Sequence, residues 1–234
     1  MNLKNAVALI TGGSSGIGRA IAKSLAASGA RVAITGRDES RLMATARELG
    51  VCGIRADVSV EADVEQTYVE LKREFGDLDI LVNNAGSGVF KNLVDFGKKE
   101  FEAVFATNVT GAMLMAREAA KIFVKNRRGN IVNISSTASL RGAPNGTAYY
   151  GSKFALRGMT ECWRAELRKD NIRVFLVNPS EVLTNFYQLA GLPQKANETK
   201  LRSEDIAYVV KTMLEMDDRA FAPEISIFAT NPKD

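Results

Sequence analysis

The chain of 234 residues is 46% apolar and 25% charged, the composition of a protein that buries a core, which excludes disordered and fibrous classes. Its 31 basic and 27 acidic residues leave a net +4, a balance that does not demand nucleic acid, and no apolar run approaches the ~18 residues needed to cross a bilayer. Histidine is absent and the two cysteines, Cys52 and Cys162, stand far apart, which excludes Ser-His-Asp and Cys-His nucleophiles, Cys/His zinc centres and a disulfide framework.

The first strand is predicted at residues 6–11, a stretch too short for a secretory leader. A Gly-rich turn and a helix over 17–28 follow, then a strand at 32–35 and a helix at 40–49 that ends in Gly50. A third strand ends ahead of Asp57, a helix at 62–75 runs into Gly76, and a fourth strand occupies 80–82. The second half continues with a long helix at 98–125, a strand at 131–134, a helix at 148–168, a sixth strand at 174–177, a helix at 204–215 and a strand-like 224–228. Continuously apolar strands alternating with helices read as a parallel sheet covered on both faces, so the prediction is a doubly wound α/β fold in one domain, 1–234. Residues 185–202 lack a partner in the alternation, and long segments of that kind serve as lids or binding loops. Phe186, Tyr187, Leu189 and Leu192 within it either line an apolar pocket or pack the loop down. No targeting or membrane segment is expected, and the reducing cytoplasm suits the two thiols.

Where the first strand meets the first helix stands Thr11-Gly12-Gly13-Ser14-Ser15-Gly16-Ile17-Gly18. Glycines there permit a tight turn and let the main chain approach a pyrophosphate at the positive end of a helix. The spacing is G-x-x-x-G-x-G. Together with Asn83-Asn84-Ala85-Gly86 after the fourth strand and Tyr149-x-x-x-Lys153 further on, it resembles the short-chain dehydrogenase/reductase family over roughly residues 4–214.

That resemblance implies a Rossmann-type, three-layer fold of about seven strands that binds a nicotinamide dinucleotide. Its contacts would fall on Gly12, Ser14, Ser15, Gly16, Ile17 and Gly18 in the loop, and on Asp57 and Val58 at the adenine. Asn83, Ala85 and Gly86 would lie against the adenosine ribose, with Asn84 as a structural partner of the central strands. Asp57 reads equally well as a helix-entry cap. Asp38 stands at the usual count for the acid that holds an NAD ribose, but the family's discriminating position is the strand's last residue, here Gly36, with Arg37 after it. A guanidinium beside the ribose bonds a 2′-phosphate, so NADP(H) is preferred and NAD(H) is the alternative. Asp38 becomes the N-cap of the next helix, and the plainer reading of Arg37 is an exposed side chain. Pro179, Val182 and Thr184 resemble the segment that holds the nicotinamide, with Ser180 replacing the family glycine and putting the local turn in question.

With no histidine, Tyr149 is the leading proton donor. Four-residue spacing puts Lys153 on the same helix face, where a cation ~4–6 Å away would lower the phenol's pKa toward the working range. Both residues would also contact the cofactor. Ser136, thirteen residues earlier, would polarise the substrate carbonyl, with Ser135 as its neighbouring alternative. Asn108 resembles the family's fourth catalytic residue, which bends its helix and holds a proton-relaying water. No metal is expected.

The expected activity is NADPH-dependent reduction of a ketone to a secondary alcohol, closest to 3-oxoacyl-[acyl-carrier-protein] reductase-like members and so to an acyl-thioester or small-molecule carbonyl. A small-diketone or pterin side-chain reductase is the alternative within enzymes. A non-catalytic NADP-sensing protein is the alternative of another class. Lys125, Arg127 and Arg128 would meet an acidic carrier or form a solvated helix end. A homodimer or homotetramer is expected through the faces of helices 98–125 and 148–168, including Gly111, Ala112, Ala155 and Trp163. Residues 229–232 lack the glycine-rich ending of many tetrameric members.

Overall fold

The computed structural model describes residues 1–192 and 198–231. Residues 193–197 of the expected loop at 185–202, and Pro232 near the end, fall outside the described residues. Strands β1 (Val7–Ile10), β2 (Arg31–Gly36), β3 (Cys52–Arg55), β4 (Ile80–Asn83), β5 (Gly129–Ile134), β6 (Ile172–Pro179) and β7 (Glu224–Ile227) form one sheet. Their order is β3-β2-β1-β4-β5-β6-β7 and every pairing is parallel. The chain winds outward in both directions from the β1/β4 junction, and in such sheets ligands bind in the crevice beyond the strands' carboxyl ends.

Strand residues alternate between two cores. Ala8 and Ile10 of β1 face one layer, with Ile21, Leu25, Val210 and Leu214 from helices α1 (Gly16–Ala27) and α8 (Ser203–Glu215). Val7 and Leu9 face the other, with Val64, Leu71, Met115 and Phe123 from α3 (Glu61–Phe75) and α5 (Ala112–Asn126). Burying each large aliphatic side chain stabilises the fold by ~1.5–3 kcal/mol, which is why these strands read as unbroken apolar runs. The third strand carries no such run because β3 is an edge strand, with only Ile54 fully buried. Helix α2 (Glu39–Leu49) begins at Asp38, whose carboxylate accepts from Arg41 N at 3.0 Å, as the sequence predicts.

The long helix expected at 98–125 is interrupted. Helix α4 (Lys98–Phe105) passes into a π-helical turn, Ala106–Gly111, before α5 begins. Gly111 and Ala112 do not face outward as the dimer expectation requires. A Cβ on Gly111 would stand 2.7 Å from Val58 Cγ2, and Ala112 is buried with its carbonyl accepting from Asn83. The helix carrying Tyr149 is α6 (Thr147–Leu167), on which Trp163 is partly buried against the second core and Ala155 is partly exposed. The basic run is largely spent on the fold: Arg127 pairs with Asp170 at 2.6 Å and Arg128 with Asp79 at 3.3 Å. Among the described residues no helix is long and apolar enough to cross a membrane.

Candidate active site

A cleft of ≈ 330 Å³ runs along the carboxyl edge of the sheet, from the β2 exit to the β6 exit. Its lining includes Gly12, Ser14, Ser15, Gly16, Ile17, Arg37, Asp57, Val58, Ala85, Gly86, Ser136, Tyr149, Lys153, Pro179, Val182 and Thr184. Gly18, Asn83 and Asn108 do not line it. Gly18 is where α1 crosses the turn, and a Cβ there would stand 2.5 Å from Gly12 O and 2.4 Å from Asn84 Nδ2. The Asn83 amide is turned into the core, donating to Ala112 O at 3.1 Å and Asn133 Oδ1 at 3.0 Å. Asn84 does line the cleft and also donates to Thr11 O and Gly12 O, tying the first turn to β4.

The cleft suits a dinucleotide on its own geometry. Helix α1 has no side-chain cap on its first turn and no acidic residue there, so its amide hydrogens are free for an anion. By contrast α2, α3 and α8 all carry acids in the first turn. Gly12 is left-handed at φ +64 with Ala85 Cα 3.0 Å from where a Cβ would be, so no larger residue fits this part of the cradle. The Thr35 and Ser135 hydroxyls, both buried in the cleft wall, have no hydrogen-bond partner among the described residues, and buried polar groups without partners mark places where a ligand completes the network.

At the adenosine end Gly36 closes β2 and Arg37 and Arg41 flank the cleft. Arg37 is 67% exposed and 3.9 Å from Asp57 Oδ2. Burial would raise the Asp57 carboxyl, but hydrogen bonds from Ser59 with Arg37 and Arg55 nearby hold it below its usual range. Asp57 does not cap the following helix, whose N-cap is Val60 without a side-chain bond; its carboxylate instead accepts from Ser59 N at 3.0 Å within the preceding turn, while the residue lines the cleft. At the far end Ser180 sits outside the positive-φ region and its N–H bonds Ile227 O at 2.8 Å, so the serine extends the pairing with β7 without backbone strain.

Tyr149, Ser152 and Lys153 follow one face of α6, toward the sheet. The Ser136 hydroxyl stands beside the Tyr149 phenol on the cleft wall, and its Oγ accepts from Ala138 N at 3.1 Å. Lys153 is 5% exposed, donates to Ile134 O at 3.0 Å and lies 5.7 Å from the Tyr149 ring centre. The expectation that this cation lowers the phenol's pKa is not met: burial raises Tyr149 above its usual 10, and only the neighbouring Ser136 hydroxyl opposes it. Burial also lowers Lys153 from 10.5 to about 8. Desolvation outweighs attraction here because the ammonium is bonded to a main-chain carbonyl rather than to the phenol oxygen.

Asn108 occupies the π-turn. Its Oδ1 accepts from Ser87 N and its Nδ2 donates to Ser87 O, each at 2.8 Å, and to Ser152 Oγ at 2.9 Å. Ser152 in turn donates to Tyr149 O at 2.7 Å. A Cβ on Gly86 would lie 3.5 Å from Asn108 Oδ1 and 3.9 Å from Lys153 Nζ, so Asn108, Gly86 and Lys153 are brought together. Sequence reasoning missed Ser152, for which the signal was its place three residues after Tyr149.

It also missed the aromatic box around Tyr149. Phe90 and Phe186 each hold ring centres 5.3 Å from it, and Tyr150 meets it edge-on at 6.0 Å. Gly88 lies among these rings, where a Cβ would stand 2.8 Å from Phe186 Cζ and 3.0 Å from Phe90 Cε2. Phe186, Tyr187 and Leu189 of the expected loop, on the short helix α7 (Phe186–Leu189), line the cleft, whereas Leu192 does not.

Residues 6–195 match the short chain dehydrogenase family. The (+)-borneol dehydrogenase 2 of Salvia officinalis is 39% identical over 200 residues, covering 83% of this chain and 70% of that protein. The alcohol dehydrogenase of the archaeon Thermococcus sibiricus, solved with 5-hydroxy-NADP, superposes with a TM-score of 0.89 at 30% identity, covering 98% of this chain and 99% of that one. A 3-ketoacyl-(acyl-carrier-protein) reductase from Brucella melitensis, solved with NADH, gives 0.91 at 30% identity, covering 97% of this chain and 98% of that one. With the glycine cradle, the parallel sheet and a family match over most of its length, this chain belongs to the short chain dehydrogenase family of oxidoreductases.

Proposed function

We propose that the protein is an NADPH-dependent carbonyl reductase whose proton donor is Tyr149, and the observation that carries this is the gathering of Ser136, Tyr149 and buried Lys153 on one wall of the cleft. The nicotinamide, when bound, supplies the hydride that reduces the carbonyl carbon. Tyr149, held protonated by burial, gives its phenol proton to the carbonyl oxygen, and the two additions together make the secondary alcohol. Ser136 holds that oxygen and the phenol in register. Lys153 returns a proton to the phenolate, and Asn108 is a positioning residue that fixes the turn of α6 through Ser152.

The glycine cradle and the uncapped end of α1 would hold the pyrophosphate, with Pro179, Val182 and Thr184 at the nicotinamide. Gly36 places no carboxylate at the end of β2, and Arg37 with Arg41 favours a 2′-phosphate, which makes NADP(H) the preferred cofactor over NAD(H). For the substrate, a 3-oxoacyl thioester is supported by the likeness to the Brucella melitensis enzyme. The aromatic box favours a second reading, a compact ketone such as a small diketone. We place this one-domain enzyme in the cytoplasm as a homo-oligomer.

The test is NADPH oxidation with a short 3-oxoacyl thioester and with small diketones. Tyr149→Phe is expected to lower kcat by ~10²–10⁴-fold while NADPH still binds by fluorescence. Arg37→Ala is expected to weaken NADPH and leave NADH little changed. Full activity in Tyr149→Phe would overturn the assignment.

A further inference from the structure

Tyr149 is one of three phenols in the cleft. Tyr150 meets its ring edge-on at 6.0 Å, and Tyr187 is joined to it through Phe186, at 5.8 Å from the Phe186 ring and also edge-on. The proposed mechanism uses Tyr149 alone. Neither the Tyr150 nor the Tyr187 hydroxyl has a hydrogen-bond partner among the described residues, although both residues line the cleft. Glu181 lies on the same wall and is paired with Lys200 at 2.7 Å.

We infer that Tyr150 and Tyr187 form a second polar subsite beside the reacting carbonyl, and that the substrate is a ketone bearing another oxygen on a nearby carbon. This rests on the reductase reading and narrows it. A phenol is a hydrogen-bond donor with an apolar body, so two such groups on the cleft wall offer donors to substrate oxygen beside rings that pack against its carbons. Burial, with Glu181 and Tyr150 nearby, pushes Tyr187 up to about 12, so it remains a donor through the physiological range. A substrate with a single oxygen would leave these donors facing carbon. A site built to hydrogen-bond a substrate group discriminates against the analogue that lacks it.

The experiment compares kcat/KM for cyclohexane-1,2-dione and cyclohexanone, with NADPH, in the wild type and in Tyr150→Phe and Tyr187→Phe. The intrinsic reactivity of the two probes cancels when the dione/monoketone ratio is compared between enzymes. The ratio is expected to fall about tenfold in at least one variant. Inhibition by cyclohexane-1,2-diol against cyclohexanol gives a second readout, and the diol's advantage should shrink in the same variant. Ratios within twofold of wild type in both folded variants, with the diol's advantage intact, would overturn the second subsite and leave the reductase standing. NADPH binding without turnover of either probe or of a 3-oxoacyl thioester would overturn the reductase reading itself and this inference with it.

Discussion

Lys153 has the sharpest consequences of any single side chain. It holds its proton less tightly in the fold, at about 8, than at its ordinary 10.5. Between those values the unfolded chain binds more protons than the folded one, so stability from this group rises as pH climbs from about 8 toward 10. Above 10 the Tyr149 phenol, half-buried and holding its proton longer than it would unfolded, reverses the slope. Below 8 the fold carries the full cost of a charged, buried lysine. Lys153→Met is therefore expected to raise stability at pH 7 by on the order of 1–3 kcal/mol, read by urea unfolding, while removing activity. Ketone reduction should decline above pH about 8 as the ammonium loses its proton, and a flat profile to pH 10 would remove Lys153 from the proton path. Gly88 gives a second test at this scale. Gly88→Ala inserts a methyl 2.8 Å from Phe186 Cζ and should cut kcat/KM for substrate about tenfold or more, with the NADPH Kd unmoved.

Between elements, the π-turn links the cleft wall to the reacting helix. Asn108 is bonded to Ser87 on one side and to Ser152 on the other, and Ser152 to the carbonyl of Tyr149. Ser152→Ala deletes the shared hydroxyl without adding volume. It should lower kcat more than it raises KM, at a stability cost of about 1–2 kcal/mol by thermal unfolding. Equal changes in kcat for Ser152→Ala and a distant surface variant would leave the link without a role. Elements and spacings within them were legible in the sequence: the Gly-rich turn, the Tyr149/Lys153 face of α6 and the Asp38 cap follow from local periodicity and propensity, whereas periodicity alone ran one helix through Asn108 and the bend there came from the family resemblance. What was not legible depends on residues far apart in the chain. The Asn83 amide reaches Asn133, fifty positions on, and no spacing rule could show that it turns away from the cleft. The box of Phe90, Tyr149 and Phe186 is likewise an outcome of sheet order, and Gly111 faces Val58 because the π-turn rotates it inward. The phenol's pKa was misjudged because sequence gives the identity of a neighbouring cation and says nothing of burial.

For the molecule as a whole, the two ends of the sheet do different work. The carboxyl ends build the cleft, while the amino ends are closed by a polar knot around Arg173, near the start of β6 and 7% exposed. Arg173 donates to Asn130 Oδ1 at 2.8 Å, Leu214 O at 3.0 Å, Met216 O at 3.2 Å and Ala220 O at 3.3 Å. It thereby satisfies the last carbonyls of α8 and ties that helix to β5 and β6. Leu214 O and Met216 O also accept from the Met1 amino group, so Arg173→Met orphans Asn130 Oδ1 and Ala220 O and is expected to cost about 2–3 kcal/mol, leaving kcat at 25 °C unchanged. A loss of kcat without loss of stability would contradict this division of labour.

The reacting pair and the substrate wall are also mounted differently. Tyr149 and Lys153 ride on the 21-residue α6, whose inner face is buried by Leu156 and Thr160, whereas Phe186 and Tyr187 stand on the four-residue α7. Partial denaturation therefore acts on the wall before it acts on the chemistry. An ageing or warmed preparation would first become less choosy, accepting poor substrates and good ones more nearly alike, and only later fall silent.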